Sequence, residues 1–135
     1  MTQKTVEDYM TKRSKLITFK PNDRIYLVIR KLTEKSISGA PVVNDDGELI
    51  GVISEKDCLK VLLEMVMHEM PGGIVERYMS HQVTTLEHHQ SIIDAVEMFQ
   101  KSNFRRFPVV KGSKLVGMIS RRDVLTAIKD IGGLT

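Results

Sequence analysis

Apolar and polar positions divide this chain into short segments, and the same order of segments occurs twice. Residues 40–54 contain two apolar runs, APVV and LIGVIS, separated by the polar string NDDGE. Residues 107–120 repeat the arrangement as FPVV and LVGMIS around KGSK. Asp46-Gly47 and Gly112-Ser113 between such runs are hairpin signals. Ahead of each hairpin the pattern predicts a helix, over roughly 22–35 and 90–101. In the second, Ile92, Ile93, Ala95, Val96, Met98 and Phe99 form a helical stripe. Short strands are expected before these helices, at KLITF and QVTT, and a helical turn before each strand, around VEDYM and VERYM. A last helix begins at Ser54 or Ser120. The predicted unit is β-α-β-β-α, and the fold class α+β with a sandwich-like layering.

The duplication extends through the chain. TVEDYMT (5–11) aligns with IVERYMS (74–80), pairing Val6 with Val75, Tyr9 with Tyr78 and Met10 with Met79. LITFKPNDRI (16–25) aligns with VTTLEHHQSI (83–92), so Thr18 meets Thr85 and Ile25 meets Ile92. The offset falls from 69 at Val6/Val75 to 67 at Ala40/Phe107 and 66 at Gly51/Gly117, which needs only small deletions in loops. Each copy is too short to bury a good core alone, so the two are expected to pack together. Read along the chain, the copies are 1–70 and 74–135, with Pro71-Gly72-Gly73 as the linker. The helix from Ser54 to about Met70 is apolar almost all round, through Leu59, Val61, Leu62, Leu63, Met65, Val66 and Met67. Such a helix should be buried on several sides, partly against another subunit, and a homodimer is expected.

Composition narrows the class. A hydrophobic content of 41% with 27% charged residues is that of a globular chain. No apolar run approaches the ~20 residues of a membrane span, the N-terminus lacks a signal-peptide core, and the single cysteine, Cys58, favours a reducing compartment. The expected location is the cytoplasm, without membrane insertion. Net charge is +3, and the excess gathers after residue 100, in Lys101, Arg105, Arg106, Lys111, Lys114, Arg121, Arg122 and Lys129. Such a field attracts an anion. A nucleic-acid surface would add exposed aromatics or a recognition helix; with no Trp and four Phe that support is missing, and nucleic acid is not an expected partner.

The closing motifs carry the chemistry. GVISEKD (51–57) and GMISRRD (117–123) share Gly-x-Ile-Ser-x-x-Asp. Ser and Asp at this spacing suit a helix N-cap and its third residue, close to a capping box, and in one copy that reading would suffice. Two copies, each following a strand directly, support a second reading. Gly51 and Gly117 lie inside strands, where glycine is unfavourable unless something approaches the backbone closely. A helix start fed by a strand end offers free amides and a hydroxyl to an anion. A carboxylate one turn further is placed to accept a ribose diol. Ile53 or Met118 would supply an apolar slot for a base.

With LITFKP…SGAPVV…GVISEKD followed by QVTTLE…RRFPVV…GMISRRD, the chain resembles a tandem pair of cystathionine-β-synthase-type (CBS) domains, a Bateman module standing alone, from about Val6 to Ile128. The resemblance implies a pseudo-twofold pair with clefts between the repeats for adenosyl ligands: AMP, ADP, ATP or S-adenosylmethionine. It implies Asp57 and Asp123 at the ribose, Ser54 and Ser120 at phosphate, and Thr18 and Thr85 beside base and ribose. Backbone around Ser38-Gly39-Ala40-Pro41 and Arg106-Phe107-Pro108 would line the base. Arg105, Arg106, Arg121 and Arg122 are candidate phosphate partners. Because Arg forks bind phosphate strongly, the Asp123 site is expected to prefer the more phosphorylated nucleotide, and the Asp57 site AMP, adenosine or nothing.

His81, His88 and His89 lack a metal-ligand spacing. Cys58 lies near a helix start, where a thiolate is somewhat favoured, but no partner makes it a nucleophile and a packed thiol is the default. There is no Walker or dinucleotide-binding glycine pattern. The function expected is regulation without catalysis, by adenosyl binding relayed to an unidentified protein partner. Its alternatives are a constitutive scaffold with non-functional clefts and a basic nucleic-acid binder, whose binding would weaken steeply with salt.

Overall fold

Both hairpins form where the pattern places them. The computed structural model describes residues 4–68 and 72–132. In chain order the first half contains α1 (Val6–Tyr9), β1 (Thr11–Lys12), a 3-10 turn (Arg13–Lys15), α2 (Ile25–Lys35), β2 (Gly39–Val43), β3 (Leu49–Ser54) and α3 (Glu55–His68). The second contains α4 (Val75–Tyr78), β4 (Leu86–Glu87), α5 (Ile92–Gln100), β5 (Arg106–Lys111), β6 (Lys114–Ser120) and α6 (Arg121–Ile131). β2 pairs antiparallel with β3, and β5 with β6. Gly47 and Gly112 turn the hairpins at φ of +80° and +64°, a region open to glycine at little steric cost. Both hairpins carry a bulge at the same place, after Val42 and after Val109. The duplication thus extends to a local irregularity.

The helices follow the predicted stripes with later starts. α2 buries Ile25, Val28 and Leu32; α5 buries Ile92, Ala95 and Phe99. The α2 start moves to Ile25 because the Lys20 amide donates to the Asp23 carboxylate at 2.8 Å, closing a turn over the residues expected to be helical. The strand expected at KLITF shrinks to its last residue, and the one expected at QVTT is shorter and displaced. The first is a single parallel bridge of Phe19 to Val42, and the second is Leu86–Glu87, parallel to β5. In each copy the paired residue is the large side chain that the core takes, Phe19 or Leu86, both almost wholly buried.

The compact units cut across the sequence repeats. One is Ile17–Val83; the other joins the chain up to Leu16 to the chain from Thr84 onward. Relative to 1–70 and 74–135, the leading segments are exchanged. Val6 lies in the core of Leu86, Ile92, Phe107 and Ile119, while Val75, Tyr78 and Met79 lie in that of Phe19, Ile25, Val42 and Ile53. The backbone anchors match: Val6 N–H donates to Gln90 (2.8 Å) and Ile92 N–H to Lys4 (3.2 Å), as Val75 does to Asp23 (2.8 Å) and Ile25 to Gly73 (2.9 Å). Full burial of a valine contributes about 1.5–3 kcal/mol, enough to hold a short turn that would not persist alone.

Each leading segment then adds to a hairpin edge. β1 pairs antiparallel with β6, Thr11 opposite Met118, giving the sheet order β1-β6-β5-β4. Ser80 bridges Val52 in the same way, with amide–carbonyl bonds of 3.0 and 2.9 Å. This edge accounts for the strand glycines. A Cβ on Gly117 would stand 2.5 Å from the Thr11 carbonyl oxygen and 2.6 Å from the Met10 sulfur; on Gly51 the distances are 2.6 Å to the Ser80 oxygen and 3.0 Å to the Met79 sulfur. The close approach inferred from these glycines is therefore made by the other repeat's leading segment, not by a ligand.

α3 differs from its expectation. Val61 is buried and Cys58 partly so, but Leu59, Leu62, Leu63, Val66 and Met67 are exposed, Val66 by 72%. One face of the helix packs within the chain, not several. Its predicted end at Met70 and Pro71 lies outside the described residues.

Candidate functional site

In both copies a strand passes into a helix with no loop between them. β3 ends at Ser54 and α3 begins at Glu55; β6 ends at Ser120 and α6 begins at Arg121. The sequence favours this junction because serine holds an extended backbone as N-cap while its side chain bonds the next turn. The Asp57 amide donates to Ser54 Oγ (3.2 Å), and the Ser54 amide to Asp57 Oδ2 (2.9 Å). The Ser54 hydroxyl donates to the same Oδ2 at 2.9 Å. The second copy repeats the box: Asp123 N–H to Ser120 Oγ at 3.1 Å and Ser120 N–H to Asp123 Oδ2 at 2.8 Å.

These bonds alter the expected anion site. The Glu55 amide donates to the Ser38 carbonyl (2.9 Å), and the Arg121 amide to that of Arg105 (3.1 Å). Of the first four amides at each junction, three have partners inside the protein; those of Lys56 and Arg122 have none among the described residues. The junctions do not present the set of free amides that the sequence suggested. Each box, however, uses only one carboxylate oxygen. Asp57 Oδ1 stands 3.9 Å from Lys60 Nζ, and the Asp57 side chain keeps 17% exposure. A carboxylate has about four acceptor positions, so cap and sugar contact are chemically compatible.

Strand alternation places the remaining candidates. Ser54 and Val52 share one face of the first hairpin, and Ser120 and Met118 one face of the second, because successive side chains alternate. Ile53 and Ile119 face the cores and are fully buried. Ile53 therefore cannot supply an apolar slot; the residue corresponding to Met118 is Val52, and a slip of one position reverses the face. Pro41 pairs with Val52, and Pro108 with Met118. The parallel pairings of Phe19 and Leu86 put Thr18 beside Pro41 and Thr85 beside Pro108. Each sheet thus carries a row: Thr18, Pro41, Val52 and Ser80 in one unit, Thr85, Pro108, Met118 and Thr11 in the other. Ala40 and Phe107 one position along, and Pro41 and Pro108 within the row, are buried, leaving their backbone as what they can offer.

Ser80 and Thr11 escaped the sequence reading. The visible signal was the hydroxyl that ends both YMS and YMT; what was not visible was that each hydroxyl joins the other repeat's sheet.

The arginines separate by environment. Arg106 pairs with Ser120 across the second hairpin, on the same face; Gly39 holds the corresponding place opposite Ser54. Arg105 and Arg122 are exposed, as is Ser38. Arg121 turns its Nε to the Phe104 carbonyl (3.0 Å) and borders a groove of about 410 Å³ between α5 and α6, with Val96, Phe99, Val124, Leu125 and Ile128. That groove lies in the helical layer and includes no other predicted site residue.

Cys58 follows the packed-thiol reading. Burial, with Asp57 and Glu55 beside it, pushes its thiol up to about 11, so the helix start does not favour a thiolate there. His88 stands 3.2 Å from Glu7 Oε2 and edge-on to His89. Tyr78 donates its hydroxyl to Glu64 at 2.8 Å and Tyr9 to Asp130 at 3.0 Å, equivalent contacts in the two units. Burial, then the acceptor carboxylate, raises both phenols.

Comparison with known proteins agrees with this fold. The family model described as "CBS domain" matches twice, at residues 6–64 and 75–130. The solved structure of CBSX2 in complex with AMP is 31% identical, covers 96% of this chain and 98% of that one, and superposes with a TM-score of 0.82. A second structure, CBSX2 from Arabidopsis thaliana, gives 29% identity over 98% of this chain and 99% of that one, with a TM-score of 0.81. An uncharacterized protein of Methanocaldococcus jannaschii is 31% identical over 110 residues, 82% of this chain and 38% of that protein. The A-adding tRNA nucleotidyltransferase of Aquifex aeolicus is 31% identical over 102 residues, 76% of this chain and 12% of that enzyme. The chain thus spans well under half the length of these last two relatives. With two matches that together span most of its length, on two α+β units built alike, the chain belongs to the CBS-domain family and carries the domain twice.

Proposed function

We propose that this protein is a regulatory module that binds an adenosyl nucleotide at the Ser54/Asp57 and Ser120/Asp123 junctions. The observation that carries the reading is the duplicated carboxylate, held rigidly through Oδ2 with its other oxygen left to accept a ribose diol. In the row beside it the part-exposed Thr18 and Val52 of one unit, and Thr85 and Met118 of the other, give a base a partly apolar border, while Pro41 and Pro108 are buried. The AMP held by CBSX2 supports the ligand class. Phosphate recognition rests on side chains, because most of the junction amides are taken. Arg106 beside Ser120, against Gly39 beside Ser54, favours the more phosphorylated nucleotide at the Asp123 site. The role is regulatory and non-catalytic: the ligand shifts an equilibrium through different affinity for two states, and a protein partner reads the result. The exposed apolar face of α3 suits pairing with a second copy as a homodimer.

Titration calorimetry with AMP, ADP, ATP and S-adenosylmethionine on the wild type, Asp57→Ala and Asp123→Ala tests this. Each variant should lose one site, and ATP should suffer most in Asp123→Ala. Equal losses for every nucleotide in both variants would discard the phosphate preference.

A constitutive scaffold is the second reading, favoured by the capping role that both Ser–Asp pairs already fill without a ligand. It predicts that no adenosyl compound raises the melting temperature, whereas ligand at 100 times its dissociation constant should add about 2.7 kcal/mol.

A further inference from the structure

The exchanged leading segments connect each candidate site to the opposite end of the sequence duplication. Asp123 and Asp130 lie seven residues apart on α6, two helical turns and about 10.5 Å along one face. Asp123 caps the junction with Ser120, and Asp130 accepts the Tyr9 hydroxyl at 3.0 Å. The same spacing recurs on α3, where Asp57 caps with Ser54 and Glu64 accepts the Tyr78 hydroxyl at 2.8 Å. Each segment has a second hold on the strand that leads into the junction. Met10 and Thr11 press on Gly117, three residues before Ser120; Met79 and Ser80 press on Gly51, three before Ser54. Both the strand that enters and the helix that leaves each junction are therefore gripped by one short segment, and that segment belongs to the other repeat.

We propose that Tyr9 and Tyr78 are positioning residues for the adenosyl sites of the opposite repeats, Tyr9 for Ser120/Asp123 and Tyr78 for Ser54/Asp57. Occupancy of one repeat's site then orders the leading segment of the other. The N-terminal segment, first in the chain, reports on the second site. The ligand-dependent part of this inference rests on the proposed adenosyl binding; the mechanical part does not.

Hydrogen–deuterium exchange and AMP calorimetry on the full chain test both parts. In Asp57→Ala, where AMP is left with the second site, AMP should slow exchange over 5–12 and not over 74–81. Tyr9→Phe should weaken that binding about threefold, the scale of one modest hydrogen bond, while Tyr78→Phe leaves it unchanged. In Asp123→Ala the pattern should reverse. A purely structural role would move both sites together, so equal weakening by either tyrosine variant overturns the proposal. Slowing of 5–12 in Asp123→Ala overturns it as well. If none of AMP, ADP, ATP and S-adenosylmethionine gives heat with the wild type, the nucleotide reading fails separately and the unliganded chain decides. Tyr9→Phe should then speed exchange across 121–131 and spare 55–68; acceleration of both, or of neither, sinks it.

Discussion

At the scale of single residues, the Ser–Asp pairs bear the most weight, and their two readings separate experimentally. As caps they stabilise whether or not a ligand is present. Ser54→Ala and Ser120→Ala should each cost about 1 kcal/mol in urea unfolding without nucleotide. As ligand groups the acids should matter to binding beyond that loss. Cys58 gives a prediction in the opposite direction from a helix-start thiolate. With its thiol raised from 9.0 to about 11, alkylation at pH 8 should run at least ~10-fold slower in the folded than in the unfolded chain. The linkage sign follows from the raised value. The neutral thiol's contribution to stability is whole below pH 9 and declines as pH rises toward 11. The raised Tyr78 phenol acts in the same sense: its contribution holds below its ordinary value of 10 and is lost as pH climbs through the higher folded value. Denaturant unfolding between pH 8 and 11 should show stability falling, less steeply in Tyr78→Phe.

At the scale of elements, the glycine-bearing strands and the segments beside them form one packing unit. Gly117→Ala places a methyl against a carbonyl oxygen at 2.5 Å and a sulfur at 2.6 Å, while at Gly51 the sulfur stands at 3.0 Å. Backbone yields less readily than a flexible thioether, so both changes should destabilise, by about 1–3 kcal/mol, as overpacked sites do. Gly117→Ala should be the worse. Met10→Ala in the same chain should recover part of the loss, because the two positions share one contact and their effects will not add. Thermal unfolding of the single and double variants measures this coupling; strict additivity would show that the sulfur contact is not the cause. The hairpins and long helices were legible because their periods, 2 and 3.6, are written in local sequence. The extents of the short strands were not: the Phe19 bridge, at the end of the expected KLITF, and Leu86–Glu87, just past QVTT, are set by β2 and β5 lying beside them, and one or two residues carry no period.

At the scale of the whole molecule, the exchange of leading segments predicts where damage at the N-terminus is felt. Removing residues 1–16 takes Val6, Tyr9 and Met10 from the second repeat's core, so hydrogen exchange should accelerate across 92–131 more than across 25–68. A chain folded as two contiguous repeats would show the reverse. The repeat itself, its β-α-β-β-α order, the hairpin turns and the two Ser–Asp junctions were determined by the sequence alone, since each depends on residues near one another in the chain. Which repeat receives each leading segment was decided only in the tertiary structure. VEDYM and VERYM offer nearly the same side chains, and both units offer nearly the same glycine and acid. Local pattern cannot choose between equivalent docks; that choice depends on where the connecting chain lets each segment reach. The same limit explains the misplaced Ile53 and the overestimated free amides. A strand's face and an amide's partner are fixed by residues far off in sequence, here the pairing of Pro41 with Val52 and the carbonyls of Ser38 and Arg105.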